Sequence, residues 1–242
     1  MARGFHEPGE KPRRFYAAVE AAPADGGYAV LLDGRALRGP KGGQVILPTA
    51  ALADQVAREW AAQGDHLELA AMPATRLANT AIESVPQARE ATAQAIADYA
   101  ASDLLCYFAT EPAALVERQE RLWGPVLERA GAELGLRLVR AAGIVHQAQP
   151  AETVGAVKAL ALGLDDFALT GLAFGASLFG SAILAIAVQR GWLSGEAAFG
   201  LSRLDEAWQE QRWGVDAEAA ERTARLAGEA AMLDRWFRGL AG

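Results

Sequence analysis

Few residues in this sequence have the type and spacing that catalysis needs. A nucleophilic cysteine needs a positive, partly exposed environment with a base nearby, but Cys106 lies in the apolar run Asp103 to Phe108. No carboxylate adjoins His146, and Ser177 lacks the glycine two residues later that a nucleophile elbow requires. We therefore expect Cys106 to be a buried structural residue, and the sequence assembles no catalytic triad or carboxylate pair.

The glycine patterns do not match nucleotide-binding motifs. Gly34 and Gly39 have phosphate-loop spacing, but Pro40-Lys41 follows where that loop needs lysine and then a hydroxyl. Three later glycines fit close helix packing better than the dinucleotide fingerprint: Gly171, Gly175 and Gly180. One cysteine and three histidines leave little material for metal ligation. The sequence therefore predicts no cofactor and no metal site.

The most informative segment runs from Leu201 to Gly214. Apolar residues spaced three and four apart share one helical face: Leu201, Leu204 and Trp208. An acid, an amide and an indole share a second face with the same spacing: Glu206, Gln209 and Trp213. Tryptophan is enriched at interface hot spots. The second face is therefore our candidate partner-binding site, and the alternative is a solvated face with Trp213 tucked under a loop.

The elements before this segment begin with strands. Tyr28, Val30 and Leu32 alternate with less apolar residues, and Asp33-Gly34 then predicts a tight hairpin turn. A second short strand is expected over residues 44–47, before Pro48. The strand-rich region is therefore expected to form a small sheet.

A helix is expected from Thr49, a plausible N-cap, to about Gln63. Its apolar stripe consists of Leu52, Val56 and Trp60. We interpret Trp60 as a structural residue that completes this stripe against the sheet.

Almost every segment beyond Pro112 has a helical pattern. Gly124-Pro125 predicts a kink or a division into two helices between Ala113 and Leu134. A strand-rich first part and a helical second part predict the α+β class. The expected organisation is a flexible tail over residues 1–14, an α+β domain over 15–110 and an all-helical domain over 111–242.

The segment from Phe167 to Val188 carries no charge and is long enough to span a bilayer. Its glycines, serines and threonine make it only weakly hydrophobic, and no basic cluster beside it sets an orientation. A helix that is apolar all round can also form the centre of a helical domain. We favour one buried helix here, and the alternative is a membrane span.

The charge of the chain limits its partners. Lys and Arg number 23 against 30 for Asp and Glu, which gives a formal net charge of −7. Nucleic-acid binding needs clustered positive charge, so this balance argues against a nucleic-acid partner. The N-terminus has no apolar core for secretion, and Glu7 and Glu10 fit poorly with a transit peptide. We therefore expect a cytoplasmic location.

Several stretches, in this order and spacing, resemble the ATP synthase assembly chaperones that bind the alpha subunit of the F(1) catalytic head. The stretches are Phe15-Tyr16 with the hairpin Leu31 to Arg35, Pro73 to Ile82, Asp103 to Tyr107 continuing to Gln119 and Trp123 to Pro125, and Leu201 to Leu204 continuing to Gln211 and Gly214. The familiar members are mitochondrial, whereas this chain lacks a convincing transit peptide, so it looks like a bacterial relative that works in the cytoplasm.

The resemblance implies a fold and a function. It implies a small α+β N-terminal domain, an all-helical C-terminal domain with an interior apolar helix, and no enzymatic activity. It also implies a molecular chaperone, expected to be a monomer without stable membrane insertion, that keeps the unassembled alpha subunit from aggregating until the beta subunit replaces it. The family's functional acidic residue maps onto Glu206. Two alternatives remain open: an enzyme with a dispersed site in the cleft between the domains, and a membrane-tethered assembly factor.

Overall fold

The computed structural model describes residues 11–143, 145–214 and 216–241 of the chain. Contacts between residues group the chain into two units, one up to Asn79 and one from Thr80 to Ala241. The first unit contains a small antiparallel sheet, and the second is largely helical. The predicted α+β class, with strands in the N-terminal part and helices in the C-terminal part, is confirmed.

The first unit consists of one sheet with a helix packed on it. Its elements are β1 (Val19–Ala24), β2 (Gly27–Leu32), β3 (Arg35–Ala36), β4 (Ile46–Leu47), α1 (Ala50–Ala61), a single 3₁₀ turn (Leu69–Ala71) and the start of α2 (Pro73–Glu83). Strand β2 is central, because β1 pairs with one side of it while β3 and β4 pair with the other. All these pairings are antiparallel, as expected of strands joined by tight turns.

The predicted hairpin turn at Asp33-Gly34 is confirmed. Leu32 pairs with Arg35, and the two residues between them have φ angles of 48° and 76°. Both angles are positive, which is the requirement of a two-residue turn that matches strand twist. The Asp33 carboxylate also accepts hydrogen bonds from the backbone N–H groups of Ala17 and Ala18 at 3.0 and 2.7 Å. These hydrogen bonds lower the pKa of Asp33. They also attach the turn to the residues before β1.

Helix α1 has the cap and the stripe that the sequence predicts. The Thr49 hydroxyl accepts a hydrogen bond from the N–H of Leu52 at 3.2 Å, which satisfies one of the free donors of the first turn. Leu52, Val56 and Trp60 are all buried. The Tyr16 hydroxyl donates to the Trp60 carbonyl at 2.7 Å, and the two ring centroids are 5.6 Å apart. Trp60 is therefore part of the core of this unit.

Part of the predicted flexible tail is paired with the rest of its unit. The N–H of Arg14 donates to the carbonyl of Asp65 at 2.8 Å, and Arg13 forms a bridge with His66. The Arg14 guanidinium also lies over the Tyr16 ring, 4.7 Å from its centroid. The expectation of a tail is therefore wrong for residues 11–14, because backbone pairing holds them. Residues 1–10 of the predicted tail lie outside the described residues.

The second unit contains eight full helices among its described residues. They are α3 (Val85–Ala101), α4 (Ala113–Leu134), α5 (Ala151–Leu162), α6 (Asp166–Phe179), α7 (Ala182–Gln189), α8 (Gly195–Ser202), α9 (Leu204–Trp213) and α10 (Ala217–Ala241). Two short parallel strands, β5 (Tyr107–Phe108) and β6 (Ala141–Ala142), pair within this unit. The sequence placed the domain division after residue 110, whereas the contacts place it after Asn79. The difference arises because α3 packs against α5 and α6.

The sequence predicted a kink or a division into two helices at Gly124-Pro125, and the division is absent because α4 continues through Pro125 as one helix. Proline normally disfavours helical geometry at the preceding residue, because its ring clashes with that residue's Cβ. The preceding residue here is Gly124, which has no Cβ. The helix ends instead at Gly135, whose φ of 68° gives a left-handed cap.

The apolar segment from Phe167 to Val188 is largely buried, as predicted, but it forms two helices instead of one. Gly180 ends α6 with a φ of 64°, and the Ser181 hydroxyl then caps α7 by accepting from the N–H of Leu184 at 3.0 Å. Every residue from Ala182 to Val188 is buried. Within the described ranges, no helix combines the length and apolarity needed to cross a membrane.

Glycines allow the helices of this unit to approach closely, as predicted for Gly171 and Gly175, whereas Gly180 has nothing within 4 Å of its Cβ position and ends α6 instead. A Cβ at Gly175 of α6 would lie 2.9 Å from the Leu233 side chain and 3.0 Å from the Ala185 Cβ. A Cβ at Gly195 of α8 would lie only 2.0 Å from the carbonyl oxygen of Ala230 in α10. Real side chains essentially never approach so closely, so glycine is required at the second position in particular.

A buried carboxylate organises the junction between α6 and α7. Asp103 is fully buried, and its oxygens accept from the Ser181 hydroxyl at 2.7 Å, the N–H of Ile183 at 3.0 Å and the N–H of Leu105 at 3.1 Å. Burial raises the pKa of Asp103 from 3.8 to about 6, against the opposing effect of these hydrogen bonds. The carboxylate thus satisfies buried donors at the start of α7.

The raised pKa of Asp103 predicts a pH dependence of stability. A group whose pKa is higher in the folded state contributes stability below its unfolded pKa and loses it as pH rises through the folded value. We therefore expect wild type to gain stability relative to Asp103→Asn between pH 7 and pH 4, by roughly 2–3 kcal/mol over the whole window. Urea unfolding of both proteins at several pH values measures this difference.

The same prediction has a readout that needs no variant. Carbon-13 NMR titration of the Asp103 carboxyl in the wild-type protein should show a midpoint well above that of exposed aspartates. Identical pH dependence of wild type and Asp103→Asn, or a midpoint near the ordinary 3.8, would contradict it.

Candidate functional site

The predicted apolar face of the 201–214 segment is divided between two helices. Helix α8 ends at Ser202, Arg203 has non-helical φ and ψ angles of −111° and 21°, and α9 begins at Leu204. The Ser202 hydroxyl donates to the Phe199 carbonyl at 2.9 Å, and such local bonds compete with regular helix. The expectation that Leu201 shares one helix with Leu204 and Trp208 is therefore wrong.

Helix α9 is attached to α4 by buried polar groups. Gln119 is fully buried, and its amide nitrogen donates to the Asp205 carboxylate at 2.8 Å. The amide oxygen of the same side chain accepts from the N–H of Ala109 at 2.8 Å. The indole N–H of Trp123 donates to the Leu201 carbonyl at 3.0 Å, just before α9 begins. Two side chains of α4 thus fix the start of α9, and Leu204 is its one buried residue in the described structure.

The opposite face of α9 brings the three predicted site residues together. Glu206, Gln209 and Trp213 are all exposed, and the Trp213 residue is 77% accessible to solvent. They line a shallow depression of about 310 Å³ with Arg203, Glu210 and Gly214. Trp213 therefore does not lie under a loop of the described chain, and the face is open to a partner.

Some charges on this face are paired and one is not. The Arg203 guanidinium pairs with the Glu210 carboxylate at 2.7 Å, so these two charges compensate each other. Glu206 forms no hydrogen bond or ion pair with any residue that the structure describes. The face thus offers one uncommitted carboxylate, one amide and one exposed indole. We name Glu206, Gln209 and Trp213 the α9 surface.

The other residues considered for chemistry do not form a reactive site. Cys106 is buried, and burial together with the nearby Asp103 charge raises the pKa of its thiol to about 12. His146 is exposed, with its Nδ1 atom 3.1 Å from the Tyr107 hydroxyl. Ser177 is exposed on α6. The described residues also contain no group of histidine, cysteine, aspartate and glutamate that could hold a metal ion.

Sequence reasoning did not assign roles to the two residues that position α9. Gln119 and Trp123 act on the 201–205 region across more than seventy residues of chain. Their helical spacing of four residues is a usable signal, since it places both on one face of α4. Spacing alone does not identify which distant element they hold.

Comparison with known proteins identifies relatives of this chain. A model of the ATP12 chaperone protein family matches residues 13–131. The crystal structure of Atp12 from Paracoccus denitrificans is 40% identical with a TM-score of 0.85, over 94% of this chain and 97% of that one. The chain belongs to the ATP12 chaperone family. The resemblance seen in the sequence is thereby confirmed.

Two further relatives extend the comparison. A putative chaperone from Agrobacterium tumefaciens is 39% identical with a TM-score of 0.88, over 95% of this chain and 86% of that one. A mitochondrial protein of Schizosaccharomyces pombe named atp12 is 27% identical over 225 residues, which are 86% of this chain and 76% of the relative. As an ATP12 family member, the chain is a chaperone for ATP synthase assembly.

Proposed function

We propose that this chaperone binds the unassembled alpha subunit of the ATP synthase catalytic head and prevents its aggregation until the beta subunit takes its place. It acts as a cytoplasmic monomer in this proposal. Membership of the ATP12 family supports the assembly role. The observation that carries the binding role is the exposed indole of Trp213 beside the uncommitted carboxylate of Glu206 on α9.

The chemistry of the α9 surface suits a temporary complex. An unassembled subunit exposes an apolar patch that would otherwise meet its neighbour, and such patches promote aggregation. A chaperone must cover the patch and later release it, so an interface of moderate size with polar groups is appropriate. An indole supplies apolar contact area, while a carboxylate and an amide supply hydrogen bonds that water can replace at release.

Removing the charge of Glu206 tests this proposal. Glu206→Gln retains the shape of an exposed side chain, so the free energy of unfolding should stay within about 0.5 kcal/mol of wild type. The variant should nevertheless protect isolated alpha subunit less well, because a charge-assisted hydrogen bond at an interface contributes about 1.5–3 kcal/mol. The measurement is paired: thermal unfolding of the variant, and light scattering of alpha subunit with the variant present.

Glu221→Gln is the matched control, since Glu221 is also exposed on a helix but lies outside the α9 surface. It should fold and protect like wild type. Full protection by a normally folded Glu206→Gln protein would exclude a binding role for this carboxylate. An unfolded Glu206→Gln protein would instead show that Glu206 is structural.

A further inference from the structure

The strand-rich unit carries an open pocket that the proposed function does not use. Its volume is about 690 Å³, within the size range of binding sites that hold a few side chains or a small ligand. Three aromatic residues line it in a continuous series. The ring centroids of Phe15 and Tyr16 are 5.3 Å apart, and those of Tyr16 and Trp60 are 5.6 Å apart.

The Phe15 ring is the exposed member of this aromatic series, whereas Tyr16 and Trp60 are buried beside it. Phe15 is 70% exposed, which is unusual for a phenylalanine in an ordered part of a chain. The Tyr16 hydroxyl is already used by the Trp60 carbonyl. The indole N–H of Trp60 is buried and has no acceptor among the described residues. The exposed Phe15 ring therefore supplies the apolar area that a ligand can cover.

The rim of the pocket is basic although the chain is acidic overall. Arg35 and Arg38 line it together with one carboxylate, that of Asp33. Two backbone N–H groups already occupy that carboxylate. Arg38 donates to the Gly42 carbonyl at 2.7 Å. Arg35 forms no hydrogen bond or ion pair with the described residues, and it is exposed. The pocket therefore combines an apolar wall with a guanidinium whose donors are free.

We propose that this pocket, which we name the Phe15 pocket, binds an acidic segment of a protein partner in which a large apolar side chain is flanked by a carboxylate. The apolar side chain packs on Phe15 and the Trp60 edge, and the carboxylate pairs with the Arg35 guanidinium, whose fork matches two oxygens. Residues 35–38 form one wall of the pocket, so the segment lies against this wall. We take the ligand to be a segment of a protein because the chain belongs to a chaperone family.

Two tetrapeptides that differ only in charge test the Phe15 pocket. The probes are acetyl-Glu-Leu-Phe-Glu-amide and its neutral counterpart, acetyl-Gln-Leu-Phe-Gln-amide, added to the full chain. The readout is the NMR signal of the Trp60 indole N–H, assigned with a Trp60→Phe sample. The acidic peptide should shift this signal with saturation, and the neutral peptide should bind about two- to fivefold more weakly, as expected for an ion pair with an exposed guanidinium.

Variants of exposed residues locate the binding. Arg35→Ala should weaken binding of the acidic peptide about two- to fivefold and remove most of its preference over the neutral one. Phe15→Ala should weaken both peptides. Arg58→Ala is the matched control, because Arg58 is exposed on α1 outside the pocket, and it should bind like wild type. Glu206→Gln should also bind normally, which separates this inference from the proposed function.

Three results would overturn the inference. The first is equal binding of the two peptides by wild type. The second is unchanged binding by Arg35→Ala. The third is binding only after removal of residues 1–10, which would make the chain's own N-terminal segment the occupant of the pocket.

Discussion

Gly195→Ala is expected to lower the free energy of unfolding by about 3 kcal/mol, the upper end of the range for overpacked sites. A Cβ at this position would lie 2.0 Å from the carbonyl oxygen of Ala230 and 2.7 Å from its carbon. Both are backbone atoms of α10, so the neighbour cannot turn aside as a flexible side chain would. The two helices must separate, which disrupts packing along both. Urea unfolding measures the loss.

Gly200→Ala is the matched control for this change, because Gly200 lies on the same helix and is exposed. Nothing is within 4 Å of the position that its Cβ would take. Alanine has the higher helix propensity, so this variant should be more stable by about 0.5–1 kcal/mol. The two variants should therefore shift stability in opposite directions. Equal effects would show that α8 and α10 are not in the close contact described.

Trp60→Ala is expected to destabilise the protein by about 3–5 kcal/mol, as large-to-small changes of buried aromatic residues do. Trp60 is 7% exposed, completes the α1 stripe and contacts the Tyr16 ring. Trp60→Arg should be more harmful, because it places an unpaired charge in the core. Thermal and chemical unfolding test both variants.

Trp213→Ala is the control for Trp60→Ala, because it removes an exposed tryptophan instead of a buried one. Trp213 is 77% exposed, so its removal should leave the free energy of unfolding within about 0.5 kcal/mol of wild type. A melting temperature that does not change on Trp60→Ala would reject the structural role of Trp60.

Local signals in the sequence predicted much of the first unit. Asp33-Gly34 specifies its own turn, because few other residue pairs accept two positive φ angles. Thr49 and the Leu52, Val56, Trp60 stripe likewise specify α1 through neighbours in the chain. In each case, the residues that determine the structure lie within a few positions of each other.

The structure differs from the sequence prediction in two situations. In one, a run of apolar residues obscures a local signal, and in the other, contacts between distant residues determine the structure. Gly180-Ser181 is a helix stop followed by a cap, but uninterrupted apolar residues around it gave the pattern of one helix. The domain division depends on how α3 packs, which spacing does not reveal. Asp103 caps α7 from far away in sequence. Glu206, Gln209 and Trp213 were predictable as a surface because they share one helix, whereas Gln119 and Trp123 act across the chain.

Helix α9 has few buried contacts, which has a consequence for local unfolding. All residues from Ala182 to Val188 are buried in α7, whereas Leu204 is the one buried residue of α9 in the described chain. Segments with few buried apolar contacts open at a lower free energy than the whole protein does. The backbone amides of α9 should therefore exchange hydrogen for deuterium well before those of α7. A bound partner would slow that exchange, so the helix itself would report occupancy of the surface it carries.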